Sequence, residues 1–244
     1  MRNEGRSPRR HPQEGGYTRG DETRARIITA ALRVFGEQGY VQASTRQIAA
    51  SAGVNPPALQ YYFDSKEGLH RACAQYIIDR VQLILSPALT DAHEAIRAKS
   101  REKALESLCG LLDALADSLI AAGSESWSRF IARGKADGAG PAMGMLRERI
   151  GVPLMEAVTQ LIAIAGGAEA GACSDDVIRL RACAILGQVN TFYANRENTL
   201  AAMNWPEFDD KRLALIKSVV REHTCAALNI AFAHDAGAPQ PAAK

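Results

Sequence analysis

Aromatic residues make up only 6% of this 244-residue sequence, and no apolar run is long enough to cross a bilayer. The longest mainly apolar stretch, Val152 to Ala165, is interrupted by Glu156 and falls short of the roughly 20 residues a spanning helix needs. The five cysteines, Cys73, Cys109, Cys173, Cys183 and Cys225, are odd in number and never paired as Cys-x-x-Cys. That spacing argues against a disulfide framework or a structural zinc site and predicts small buried side chains in a reducing cytoplasm. The five histidines, His11, His70, His93, His223 and His234, lack metal-ligand spacing,. No Gly-x-Ser-x-Gly elbow is present, Gly134 to Gly144 lacks a Walker-type lysine and a preceding strand and so reads as a loop, and Ser124 and Ser126 read as helix caps,. We therefore expect no enzymatic activity, no metal and no cofactor. Arg9-Arg10 is followed by no hydrophobic region, so no export signal is expected,.

Charge of one sign is also missing overall: 29 Lys+Arg against 27 Asp+Glu gives +2. The distribution is more informative. Residues 1–86 hold 12 basic and 8 acidic residues (net +4), leaving 17 basic and 19 acidic (net −2) for the remainder. The front third is the better candidate for a polyanionic partner.

What is present is helical periodicity rich in Ala and Leu, without alternating strand patterns or internal repeats, which predicts an all-α fold. Residues 1–20, with five arginines, glycines and prolines but almost no aliphatic residues, are expected to be a disordered basic arm,. Residues 235–244 are expected to be a disordered tail. Between them, residues 21–66 read as an N-terminal three-helix domain, and 67–234 as a larger helical domain.

The first helix is expected to be capped by Asp21, with an apolar stripe through Ile27, Ile28, Ala31, Val34 and Phe35 and a stop at Gly39,. Ser44-Thr45-Arg46-Gln47 has the form of a capping box for a short second helix that ends at Gly53,. Asn55 caps a third, with Pro56 and Pro57 in its first turn, where missing N–H groups cost little,. A fourth runs from about Lys66 until Pro87 stops it.

Two short helices around a glycine turn form a helix-turn-helix, whose second helix presents its N-terminal residues to base edges in the major groove. Ala49 supplies the small residue before the turn, Gly53 the turn itself, and Ile48, Val54 and Leu59 the apolar plugs. The exposed face of the third helix then carries Asn55, Gln60, Tyr61 and Tyr62.

Residues Thr45-Arg46-Gln47-Ile48-Ala49-Ala50-Ser51-Ala52-Gly53-Val54, followed by Ala58-Leu59-Gln60-Tyr61-Tyr62-Phe63-Asp64-Ser65-Lys66-Glu67-Gly68-Leu69, resemble the DNA-binding domain of TetR-type transcriptional regulators over residues 21 to about 70. Trp127 to Arg133 and Ile185 to Val189 resemble a CerR-type subgroup. The resemblance implies phosphate contacts from Thr45, Arg46 and Lys66, a backbone grip from Tyr61 and Tyr62, and base-facing positions at Asn55, Pro56, Pro57 and Gln60. Glutamine can pair bidentately with adenine, which marks Gln60 as the leading specificity residue. The prolines offer only apolar contact. Tyr62 has a second reading, packing against the fourth helix. The arginines of the arm divide between a solvated tail and, for Arg19, a groove contact.

The rest reads as helices at about 92–121, broken near Lys99, then 124–136, 142–165 with a kink at Pro153, 175–195 and 209–233. The stripes through Met145, Leu146, Ile150, Leu154, Val158 and Leu161, and through Ile178, Ala182, Ile185, Val189 and Phe192, are broader than one face and need a second partner,; the resemblance implies that this is the other subunit of a dimer, and the competing expectation is the core of one chain. An effector pocket would be lined by Trp127, Phe130, Arg133, Met143, Asn190 and Tyr193, with Arg133 either holding an anion or paired to a carboxylate. The implied function is a cytoplasmic homodimeric repressor released from a palindromic operator by a small-molecule effector. The competing expectation is a helical small-molecule-binding protein without sequence-specific DNA binding.

Overall fold

The computed structural model describes residues 15–138, 140–166 and 174–235. Among these residues there is no strand, and the chain forms eleven α-helices and one π-helical turn. The reading head consists of α1 (Gly15–Gln42), α2 (Thr45–Ala52) and α3 (Pro56–Phe63). Ile27, Ala31 and Phe35 of α1, Ile48 and Ala49 of α2, and Leu59 and Phe63 of α3 are all buried in one continuous core. Each large aliphatic or aromatic side chain so buried contributes about 1.5–3 kcal/mol.

The larger body comprises α4 (Lys66–Ala98), α5 (Arg101–Leu119), α6 (Glu125–Asp137), α7 (Ala142–Leu146), α8 (Val152–Ala165), α9 (Asp175–Ala194), α10 (Arg196–Met203) and α11 (Asp210–Asp235). Head and body join in two ways: α4 runs out of the head as a single rod, and α1 lies along α6. The second contact is close because Gly36 has no side chain. A Cβ there would come within 3.1 Å of Arg129 Cβ and of the Phe130 backbone nitrogen.

Several expectations need correction. The helix starts at Gly15, so Asp21 lies within α1 rather than capping it, and the boundary of the arm moves back. Packing overrides the local cap signal, because the early turns lie against α3: a Cβ on Gly20 would stand 3.9 Å from the Tyr62 hydroxyl. Arg2, Arg6, Arg9, Arg10 and the tail beyond Asp235 lie outside the described residues. Gly39 does break the helical path (φ 79°, ψ 167°), and α1 resumes as far as Gln42.

Pro87 does not stop α4, which continues to Ala98 before Lys99 closes it in a left-handed conformation. Pro87 lies on the solvent side, and the residue whose carbonyl it leaves unbonded, Leu83, is itself 74% exposed, so water can satisfy that oxygen. Burial of Ala92 and Ala95 carries the helix past the break. The kink expected at Pro153 takes the form of a π-helical turn, Arg147–Gly151, in which the Val152 N–H bonds the Arg147 carbonyl. The wider turn makes room for the proline ring, which clashes with a carbonyl four residues back in a regular helix.

The α8 stripe proves to be core: Leu154, Val158 and Leu161 are buried within the chain, as are Ala182, Ile185 and Val189 of α9. Exposed apolar residues are found on α4 (Leu83, Ile84), α8 (Val152) and α10 (Met203), and on the outer faces of α9 (Val177, Leu180) and α11 (Leu215, Val219). The other side of α11 is tied to α5 by Arg221–Asp113 at 2.9 Å and by Lys217–Asp117. Helix α10 was not anticipated. It is pinned by Arg196, whose guanidinium donates to Glu125 Oε1 (3.0 Å) and the Ile120 carbonyl (3.2 Å) and lies 4.6 Å from the Phe208 ring centroid. Among the described residues no helix is long and apolar enough to cross a membrane.

Candidate nucleic-acid interface and effector cavity

The α2–α3 unit is built from local hydrogen bonds that its sequence dictates. Gln47 N–H donates to Ser44 Oγ (3.2 Å), and Ser44 N–H donates to Gln47 Oε1 (3.0 Å), completing the capping box. At the other end Gly53 adopts φ 65°, ψ 38°. Its N–H bonds Ala50 O, and the Val54 N–H bonds Ala49 O at 3.0 Å, which is the double closure of a Schellman turn. Asn55 Oδ1 accepts from the Ala58 N–H (3.0 Å) and so starts α3. The cap consumes the acceptor of Asn55, leaving only its amide N–H groups for a partner.

This geometry brings Thr45, Arg46, Pro56, Pro57, Gln60 and Lys66 around one open groove of about 690 Å³. Gln60 and Arg46 are exposed, and Tyr61 projects with 83% of its surface free. Tyr62 differs from its neighbour. It is half-buried against the core with its hydroxyl beside Gly20, the placement that its packing reading called for. Asn55 sits at the entrance to α3 rather than in the groove wall. Lys66 is positioned from outside its own helix: its ammonium donates to the Val41 carbonyl (3.0 Å) and lies 4.8 Å from the Tyr40 ring centroid. Two of its three donor hydrogens remain for an anion at the N-terminus of α4, where backbone amides add positive potential. Tyr40 and Val41 carry no local sequence signal for this role, because their partner Lys66 lies some 25 residues along the chain.

Behind Lys66, His70 is enclosed by the rings of Phe35, Tyr40 and Phe130, with centroids 4.8, 4.6 and 4.8 Å away. Its Nδ1 accepts from the Ala142 N–H at 3.4 Å. Burial, reinforced by the Lys66 charge, lowers its pKa to about 4. His70 is therefore a neutral keystone between the head and the body.

The body contains a cavity of about 580 Å³ between α4, α5, α6, α8 and α9. Met143, Asn190 and Tyr193 line it, as the sequence suggested. The other three expected residues do not. Trp127 donates its indole N–H to the Ser118 carbonyl (2.9 Å) and packs near Tyr76. Phe130 is buried against Phe35 and His70. Arg133 pairs with Asp137 at 2.9 Å, four residues along the same helix. The cavity residue the sequence reading missed is Lys135, whose partners Asn190 and Tyr193 lie 55 and 58 residues away in the chain and leave no local signal.

A helix-turn-helix head joined through one long helix to a helical body with an internal cavity defines a DNA-binding transcriptional regulator. Residues 27–73 match the bacterial regulatory proteins of the tetR family, and residues 104–229 match the C-terminal domain of the HTH-type transcriptional dual regulator CecR. The chain belongs to the TetR family, and the subgroup expected above under the label CerR is, by this match, CecR. It is 32% identical over 211 residues to the dual regulator CecR of Shigella flexneri, spanning 84% of this chain and 91% of that protein. The regulator BetI of Rhizobium meliloti is 33% identical over 103 residues, 41% of this chain and 47% of that one. Among solved structures, the TetR family regulator PfmR of Thermus thermophilus superposes with a TM-score of 0.58 at 18% identity, covering 84% and 95% of the two chains. AibR in complex with isovaleryl coenzyme A and operator DNA gives 0.57 at 16% identity, covering 81% and 96%. At those identities the likeness concerns the fold.

Proposed function

We propose that this regulator is a homodimeric repressor that leaves a palindromic operator when a small molecule fills the C-terminal cavity. The observation that carries the reading is the double role of α6. Its Ile131, Gly134 and Lys135 line the cavity, while Arg129 and Phe130 lie against Gly36 of α1 in the reading head. A ligand that favours one setting of α6 therefore also favours one setting of the head, and differential binding of that kind is what releases DNA. AibR, which shares the fold, has been captured with both an acyl coenzyme A and operator DNA.

Pairing through the outer faces of α9 and α11, with Leu180 and Leu215 at the seam, would hold two heads to read half-sites about 34–36 Å apart. Operator DNA as the partner, and cysteines that are free of disulfide pairing among the described residues, support a place of work in the cytoplasm. The reading contains no catalytic step. It assigns phosphate contacts to Thr45, Arg46 and Lys66, further backbone contacts to Tyr61 and base readout to Gln60.

Selection of the purified protein on random duplex DNA at two salt concentrations tests it. The expected result is a palindrome with half-sites one helical turn apart. Gln60→Ala should relax preference at single base positions, whereas Lys66→Ala should weaken binding to all sequences and lower the salt slope by about 1. Recovery of no motif, with binding that vanishes as salt rises, would overturn the operator reading.

A further inference from the structure

We infer that the cavity takes an amphipathic organic anion, with a carboxylate seated on Lys135 and an apolar body lying along α8. This rests on the reading of the chain as an effector-controlled regulator and names the chemistry of the effector.

The argument starts with charge. Lys135 and Arg147 line the cavity, and among the described residues no aspartate or glutamate does. The cation first suspected from the sequence, Arg133, is neutralised by Asp137 and points elsewhere. The Lys135 ammonium instead donates to two neutral oxygens, Asn190 Oδ1 (3.2 Å) and Tyr193 Oη (2.6 Å). No carboxylate lies within ion-pair distance of it among the described residues. Among the described residues the rim cation Arg147 reaches only its neighbour Glu148, at 4.0 Å.

The hydrogen-bond inventory leads to the same place. Lysine brings three donors and no acceptor, and tyrosine and asparagine bring donors besides the oxygens already occupied. With Tyr193 Oη and Asn190 Oδ1 both accepting from Lys135, the tyrosine proton and the asparagine N–H groups have no acceptor among the described residues. Tyr193 is only 4% exposed, so bulk water does not readily take that role. Lys135, Tyr193 and Asn190 thus converge as a cluster of donors around a site that lacks an acceptor, and a carboxylate supplies one with its negative charge. The remaining wall is apolar: Leu115, Ile131, Ile150, Leu154 and two methionines, Met143 and Met155, whose flexible thioethers adapt to differing ligand shapes,. A volume of about 580 Å³ lies in the middle of the range for drug-sized ligands.

The test is calorimetric titration of the full chain with two acid–alcohol pairs, decanoate against 1-decanol and 2-naphthoate against 2-naphthol. In at least one pair the acid should bind about 10-fold or more tighter than the alcohol, the difference a charge-assisted hydrogen bond provides. Lys135→Met should remove that preference by weakening the acid more than the alcohol, and Lys135→Arg should retain it. Lys135 is exposed on its outer side, so these variants should remain folded.

Equal binding of acid and alcohol, an acid preference that survives Lys135→Met, stronger binding of decyltrimethylammonium, or no binding of any probe would each overturn the inference. Operator affinity is measured separately on the selected DNA. Acid binding through Lys135 with unchanged operator affinity would sustain the ligand class and defeat the effector reading. A selected operator without acid preference would do the reverse.

Discussion

Replacing Gly53 should show how much of the reading head depends on one backbone conformation. Gly53 holds φ 65°, ψ 38°, and a Cβ added there meets no atom within 4 Å. Steric conflict with neighbours therefore drops out, and the left-handed backbone alone sets the cost, about 1–2 kcal/mol for an ordinary L-residue. Alanine stiffens the unfolded chain and recovers part of this, about 0.4–1 kcal/mol, so the net loss for Gly53→Ala should be about 1 kcal/mol. Asparagine visits this region readily and should lose less, whereas β-branched valine should lose clearly more. In a chain of this size, 1 kcal/mol corresponds to a melting shift of about 2–4 °C. Urea and thermal denaturation of the series should rank stability as glycine, asparagine, alanine, valine. Operator affinity, measured well below the lowest melting point, should fall in the same order, because the turn sets the angle at which α3 leaves α2. Alanine equal to asparagine would refute the conformational argument, and a loss for alanine above about 3 kcal/mol would show that unseen contacts dominate.

Three other outcomes follow from the packing. His70 is held near 4 when folded but titrates near 6.5 when unfolded, so the unfolded state takes up the proton first. Stability from this residue is complete above about pH 6.5 and declines by about 3 kcal/mol as pH falls towards 4. His70→Phe should flatten that interval in denaturation curves, and an unchanged slope would refute the assignment. Arg196→Met removes the guanidinium that bonds Glu125 and the Ile120 carbonyl. It should cost about 2–4 kcal/mol, with Glu125→Gln costing less because Glu125 is half-exposed; a double-mutant cycle by urea denaturation measures the coupling. Burial pushes the Cys109 thiol up to about 12 and the Cys73 thiol higher still, whereas Cys183 is exposed. Iodoacetamide at pH 8 should therefore modify Cys183 well before the other two, as read by peptide mass spectrometry.

The legible parts of the molecule were those governed by short-range rules. The capping box at Ser44, the glycine at 53 and the asparagine at 55 fix α2 and α3 through bonds spanning a few residues, and all three form as the sequence indicates. Signals that depend on distant packing were misread. Pro87 looks like a helix stop until the burial of Ala92 and Ala95 is known, and Asp21 looks like a cap until α1 is seen against Tyr62. Helix α10 carried weak punctuation, Asn195 before it and Asn204 after it, and its Arg196 gains meaning only from Glu125 and Phe208. In the cavity, aromatic and charged residues of α6 were chosen by type, but helical phase decides which of them faces inward. Phe130 and Arg133 turn away from it, and Lys135 turns in.

The unbroken α4 has a mechanical consequence. Its 33 residues make a rod about 50 Å long. Lys66 stands at one end, beneath the groove of the reading head, Val81 lies in the cavity wall, and Pro87 interrupts the hydrogen-bond ladder a little further on. For a rod that pivots where the ladder is weakest, Val81 is roughly 9 Å from the fulcrum and Lys66 roughly 31 Å. A displacement of about 1 Å at the cavity wall then becomes about 3.5 Å at Lys66, comparable to the length of a hydrogen bond. On such a lever Val81, a buried apolar side chain in the cavity wall, would be the place where a difference of one methyl group in a bound molecule is magnified.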